Sequence, residues 1–275
     1  MKFRFASLAV LAMAGMLVAS TATAAAASDA RLRVLHASPD APAVDVYADG
    51  TKVLSDVPFG TISDYLSVPA GDHQVQVFAA GTTTGAVIDA TLTLDAGTSY
   101  TVAATNALAS IEAQVFVDDP SPVSDMAQLR AVHLSADAPA VDVAPRGSAA
   151  DGAVVTNLEY PNATGYLSLP AGSYDLDVRL TGTTTVALEL PTLDLAAGTS
   201  YSAFVIGSAA TPAVGDNGLT AVVAVDGTAS EMPDTSMASS SSTGLVGVAL
   251  LLLALAILVG GGARRLATHR VASRD

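Results

Sequence analysis

The chain has no cysteine and no tryptophan, few aromatic residues and few positive charges. Without cysteine neither a disulfide nor a thiolate metal site is available, so each folded unit must hold together through its own core. Without tryptophan, the commonest sugar-stacking platform is missing. Of twelve basic residues, Lys2 and Arg4 lie at the extreme N-terminus and Arg264, Arg265, Arg270 and Arg274 at the extreme C-terminus. The stretch between them keeps six basic residues against 25 acidic ones, a net charge of about −19. Such a surface repels phosphate backbones and excludes nucleic acid as a partner.

The ends carry the clearest local signals. Lys2 and Arg4, the apolar stretch Leu8 to Val18 and the small residues Ala24 to Ala27 have the three-part form of a cleavable signal peptide, residues 1–27. Residues 244–263 contain no charge, and at about 1.5 Å of rise per residue they cover about 30 Å, the thickness of a hydrocarbon core. The arginines of residues 264–275 follow at once, so the positive-inside rule predicts a single-pass membrane anchor with a cytoplasmic tail and everything upstream outside the cell. Residues 227–243 are rich in serine and threonine and read as a spacer. Within it, Met232-Pro233-Asp234-Thr235-Ser236 resembles the cell-wall sorting signal that sortases cleave, usually Leu-Pro-x-Thr-Gly, and departs from it at Met232 and Ser236. Localisation at the cell membrane or cell wall is expected, with retention of the helix and sortase processing both open.

The exported part repeats itself. Leu32-Arg33-Val34-Leu35-His36-Ala37-Ser38-Pro39-Asp40-Ala41-Pro42-Ala43-Val44-Asp45-Val46 returns 97 residues later as Leu129 to Val143. Tyr65-Leu66-Ser67-Val68-Pro69-Ala70-Gly71 returns as Tyr166 to Gly172, and Ala96-Gly97-Thr98-Ser99-Tyr100 as Ala197 to Tyr201, both at an offset of 101. Four residues are therefore inserted between these markers. A period near one hundred residues gives two whole domains, 28–118 and 129–226, joined by a linker at 119–128 that contains Asp-Asp-Pro-Ser-Pro. Val44 to Tyr47 and Gln74 to Phe78 alternate at period two, and Asp49-Gly50 is a hairpin signal. The fold class expected is all-β: two tandem antiparallel β-sandwich, immunoglobulin-like repeats, plus one C-terminal transmembrane helix.

The run His-x-Ser-x-Asp-Ala-Pro-Ala-Val-Asp-Val, with the later Tyr-Leu and Pro-Ala-Gly segment and Ala-Gly-Thr-Ser-Tyr, resembles the bacterial and archaeal secreted family known as domain of unknown function 4397. The resemblance covers both repeats and implies a secreted or surface β-rich module, with no activity and no catalytic residues to carry over. In the second copy Ala136 replaces Pro39, Ala144 replaces Tyr47, and Arg146-Gly147 stands where Asp49-Gly50 was.

No constellation names a reaction. Along an extended strand residues two apart are separated by about 6.6 Å, whereas a nucleophile and its base need about 2.6 to 3.2 Å, so His36, Ser38 and Asp40 do not form a triad by spacing. Structural roles, with Ser38 or Asp40 capping a turn and His36 bonding across a strand, account for them better. His36, Asp40 and Asp45, with His133, Asp137 and Asp142, offer imidazole and carboxylate ligands, but at spacings that match neither a zinc nor a calcium signature. No catalytic residue, no cofactor and no metal is therefore assigned. The partners expected are the membrane, through the C-terminal helix, and an extracellular glycan or protein. The function classes left open are a surface binding or adhesion module, a structural envelope spacer and, least favoured, a secreted hydrolase. One sequon, Asn162-Ala163-Thr164, lies in the second repeat.

Overall fold

The computed structural model describes residues 28–210 and 217–229. The expected signal peptide, residues 230–243 of the expected spacer with Met232 to Ser236, the expected anchor and its basic tail all lie outside the described residues. Gly227 and Thr228, expected to open the spacer, are instead the last residues of a strand, where their backbone pairs with Ser200 and Thr199. Among the described residues no helix is long and apolar enough to cross a membrane.

The described chain is all-β, as the alternation predicts. In the first repeat the strands are β1 (Ala30–His36), β2 (Val44–Ala48), β3 (Thr51–Val57), β4 (Leu66–Val68), β5 (Gly71–Ala79), β6 (Ile88–Leu94), β7 (Ser99–Thr105) and β8 (Glu112–Asp118). They form an inner sheet ordered β4-β1-β7-β8 and an outer sheet ordered β3-β2-β5-β6. The Asp49-Gly50 hairpin joins β2 to β3 with φ of 49° and 75° at its two turn residues, the left-handed pair that a two-residue turn requires. Val34 and Ala104 of the inner sheet pack with Val44, Val46, Val75, Val77 and Ile88 of the outer one, so the two sheets share a core.

The second repeat copies this plan. Its strands are β9 (Met126–His133), β10 (Val141–Pro145), β11 (Val155–Leu158), β12 (Leu167–Pro170), β13 (Gly172–Tyr174), β14 (Leu176–Leu180), β15 (Val186–Glu189), β16 (Leu193–Leu195), β17 (Thr199–Ile206) and β18 (Thr220–Thr228). The inner sheet is β12-β9-β17-β18, the outer one β11-β10-β14-β15, and β13 pairs with β16 beside it. The long hairpin of β5 and β6 is thus divided. Pro191 stands where the first repeat has Ala90, and a residue without an N–H cannot hold its place in the ladder.

Two features differ from the immunoglobulin-like, wholly antiparallel expectation. The first strand of an immunoglobulin domain pairs with the second, whereas β1 pairs with β4 and β7, and β2 with β3 and β5. In addition β1 runs parallel to β7, and β9 to β17, while the other pairings between these strands are antiparallel. Residue alternation fixes which face a side chain takes but carries no information on which strand lies alongside.

The central strands also explain why their sequence does not alternate in polarity. Leu32 and Val34 face the core of their own repeat, while Leu35 and Ala37 join Val132, Leu134, Phe204 and Ile206 in a third cluster. That cluster lies between the inner sheets of the two repeats. A strand covered on both faces reads as a continuous apolar run, so the four sheets stack in the order outer, inner, inner, outer.

Candidate functional site

The repeated His-x-Ser-x-Asp run turns out to build the loop that follows β1 and β9. His36 is fully buried, and its Nε2 lies 3.0 Å from the carbonyl oxygen of Pro42, in its own loop instead of across a strand. His133 makes the same contact with Pro139 at 3.1 Å, and its Nδ1 accepts the backbone N–H of Ser135 at 3.3 Å. A carbonyl can only accept, so Nε2 carries a proton in both rings, and because Nδ1 of His133 also accepts, that ring is neutral. Burial pushes both imidazoles below their ordinary value of 6.5, partly offset by the bond to the carbonyl.

The aspartates are engaged by backbone donors. Asp40 accepts the N–H of Leu108 at 2.6 Å, and its copy Asp137 accepts from Ser208 Oγ and from the N–H groups of Ala209 and Ala210. Asp45 accepts from Lys52 Nζ at 2.6 Å and from the N–H groups of Asp56 and Gly81; Asp142 accepts from Asn157 and Gly182. The Lys52 ammonium and then the two N–H groups lower the Asp45 carboxyl to about 2. His36, Asp40 and Asp45 are not brought to a common point, and neither are His133, Asp137 and Asp142; among the described residues no group of three or more such side chains is placed to hold a metal ion. Ser38 Oγ and His36 Nδ1 are buried without a partner, so in the first repeat Ser38 caps nothing.

The dominant polar constellation is one that spacing did not single out. Arg33, at the centre of β1, is 2% exposed and donates to Thr101 Oγ1 of its own repeat, to the carbonyl of Val225 and to Asp226 of the other repeat, the last at 2.5 Å. Arg130 of β9 returns the pattern, donating to Ser202 Oγ, the carbonyl of Val117 and Asp118. Tyr65 donates to Asp118 and Tyr166 to Asp226, each at 2.6 Å, and burial drives both phenols far above their ordinary value. Two guanidiniums and two carboxylates are thus exchanged between the repeats under a pseudo-two-fold relation. By taking the carbonyls of Val117 and Val225, each arginine also blocks an end strand of the other repeat's sheet. The signal was an arginine kept in both copies of an apolar strand and a Val-x-Val-Asp ending at Asp118 and again at Asp226.

This network uses up positive charge. Arg33, Lys52, Arg130, Arg146 and Arg179 each contact a carboxylate, and Arg31 lies 4.6 Å over the ring of Tyr65. At one end of the junction a groove of about 660 Å³ is lined by Ser28, Asp29, Arg31 and Thr98 of the first repeat, by Asp119 and Ser121 of the linker and by the end of β18. It is the place where both repeats and the linker face one open space.

These observations define, among the described residues, two fused all-β sandwiches with a reciprocal buried junction. The chain belongs to the family described as Domain of unknown function (DUF4397), whose model matches residues 30–144 and 148–238. The break between the matched segments falls within the second repeat, at the lengthened loop after β10 and not at the linker. No curated protein matches the chain.

Proposed function

We propose that the protein is an exported, membrane-anchored surface module that binds an extracellular ligand in the groove between its repeats. The observation that supports this reading is the groove itself. Its volume of about 660 Å³ suits a small ligand, and its wall mixes hydroxyl groups, the carboxylates of Asp29 and Asp119 and the guanidinium of Arg31. Hydroxyls and carboxylates on one wall match the donor and acceptor pattern of a glycan, and the buried junction holds the wall in one geometry before binding. Nothing in this wall pairs a nucleophile with a base, and the reading assigns no catalysis.

Placement outside the cell rests on the leader and on the anchor with its basic tail, and Met232 to Ser236 is the segment a sortase would cleave. Mass spectrometry of the protein released by cell-wall hydrolases distinguishes the two fates: a C-terminus at Thr235 means wall attachment, and an intact 244–263 segment means a retained helix.

A second reading, a rigid envelope spacer, draws support from the same junction, because a spacer needs stiffness and no ligand. Screening the purified protein against glycan and surface-protein arrays separates them. The binding reading expects a ligand whose affinity falls at least about tenfold in Arg31→Ala or Asp119→Ala, the loss of one charged hydrogen bond. A negative screen leaves the spacer.

A further inference from the structure

The two repeats differ in the connection after their second strand. The four residues inserted between the repeated markers fall between β10 and β11, where the tight Asp49-Gly50 hairpin of the first repeat is replaced by a longer loop with a 3-10 turn at Ala150–Gly152. Beside that loop the second sandwich contains an apolar cavity of about 70 Å³, walled by Leu129, Ala131, Val155, Leu167, Tyr174 and Leu176. The registers identify its origin. Val46 pairs with Leu54 in the first repeat and Val143 with Val155 in the second, so Val155 occupies the position of Leu54, while Ala131 occupies that of Val34. Two smaller side chains leave the space that Val34 and Leu54 fill in the other copy.

The cavity has a defined chemistry. The Tyr174 hydroxyl donates to the carbonyl of Pro170 at 2.7 Å, so it offers no free donor to an occupant. The volume is about half that of the roughly 150 Å³ cavity that admits benzene, which excludes an aromatic ring or a sugar and fits a branched aliphatic group. Its walls come from both sheets on the side where β11 and β12 are the end strands, and Val154 at this rim is 48% exposed. An end strand offers unpaired backbone groups to an extended chain. The rim is acidic: Asp151 sits in the inserted turn, and Asp175, between Tyr174 and Leu176, has its side chain 55% exposed. Arg146 lies 4.0 Å from Asp175 but is itself bonded to Asp177.

We propose that the second repeat, unlike the first, receives the leucine, isoleucine or valine side chain of an extended, basic peptide segment, whose backbone lies along β11 or β12. This site is separate from the groove between the repeats and stands or falls independently of it.

The test uses the full chain in lipid nanodiscs, labelled at its leucine and valine methyls, titrated with acetyl-Lys-Thr-Leu-Thr-Lys-amide and with the same peptide carrying alanine at the centre. The leucine peptide is expected to shift the methyl resonances of Leu129, Val155 and Leu167. The alanine peptide is expected to bind at least about tenfold more weakly, from the lost apolar carbons, and added salt to weaken both. Ala131→Val with Val155→Leu, which restores the residues of the first repeat, should abolish the response while the remaining spectrum is unchanged. Absence of these shifts, equal binding of the two peptides, or undiminished binding to the filled variant overturns the proposal. The same methyls shifting when the lipid-free chain meets peptide-free vesicles would assign the cavity to an acyl chain and overturn it as well.

Discussion

Replacing Asp226 by alanine removes one carboxylate from the junction and leaves its partners in place. Arg33 is then charged, buried and without the acid that now sits 2.5 Å away, left only with Asp118 at 3.5 Å, and the hydroxyls of Tyr166 and Ser202 lose their common acceptor. Removing one member of a buried ion pair costs about 3 to 5 kcal/mol, because the remaining charge stays desolvated. Each stranded hydroxyl adds about 1 kcal/mol or more, though the space left by the carboxylate admits water and keeps the sum below simple addition. A total of about 4 kcal/mol is a large share of the stability of an ordinary domain. Urea unfolding followed by far-ultraviolet circular dichroism reads it; the chain has no tryptophan to report by fluorescence. Because Arg33 belongs to the first repeat and Asp226 to the second, the unmodified protein should unfold in one transition and the variant in two. The double variant Arg33→Met with Asp226→Leu should recover the part of the loss that comes from the stranded charge, since a well-packed apolar pair can substitute for a buried ion pair, while the hydroxyls of Tyr166 and Ser202 stay without their acceptor. A loss below about 1 kcal/mol for Asp226→Ala, or a double variant as unstable as the single one, would refute the view that this network joins the repeats.

Four further outcomes follow from the same contacts. His36 and His133 have pKa values depressed below 6.5 in the fold, so the unfolded chain takes up protons first and stability should fall as pH drops from about 6.5; Gln at both positions should flatten melting temperature against pH over that range. His73 works in the opposite sense, raised by Asp49, and its contribution should fade as pH rises above 6.5, which His73→Gln isolates. The Asp45 carboxyl should titrate near 2 by carbon-detected NMR and move upward in Lys52→Met, and the stability it confers should be lost as pH falls from 3.8 towards 2. Because the carboxylates of Asp40, Asp45, Asp137 and Asp142 already accept N–H or ammonium donors, added Ca²⁺ should leave the melting temperature unchanged; a rise would show a bound ion.

The sequence alone determined the all-β class, the two copies and many of the turns, because alternation, Asp49-Gly50 and the repeated Pro-Ala-Gly are local signals with local causes. It also determined the acidic balance, which follows from counting. The family could be read from the His-x-Ser-x-Asp run, but the role of that run could not: Asp40 and Asp137 are satisfied by N–H groups about 70 residues away in sequence. Only the tertiary structure decided that β1 pairs in parallel with β7 and that β1 is covered on both faces, since a strand's neighbours are not written in its own period. It likewise decided the meaning of Arg33 and Arg130. In a strand taken singly, an arginine reads as a solvent-facing residue; opposite a second copy it becomes the buried charge that ties two sandwiches together, because its acceptors are carried nearly 200 residues onward by the other repeat.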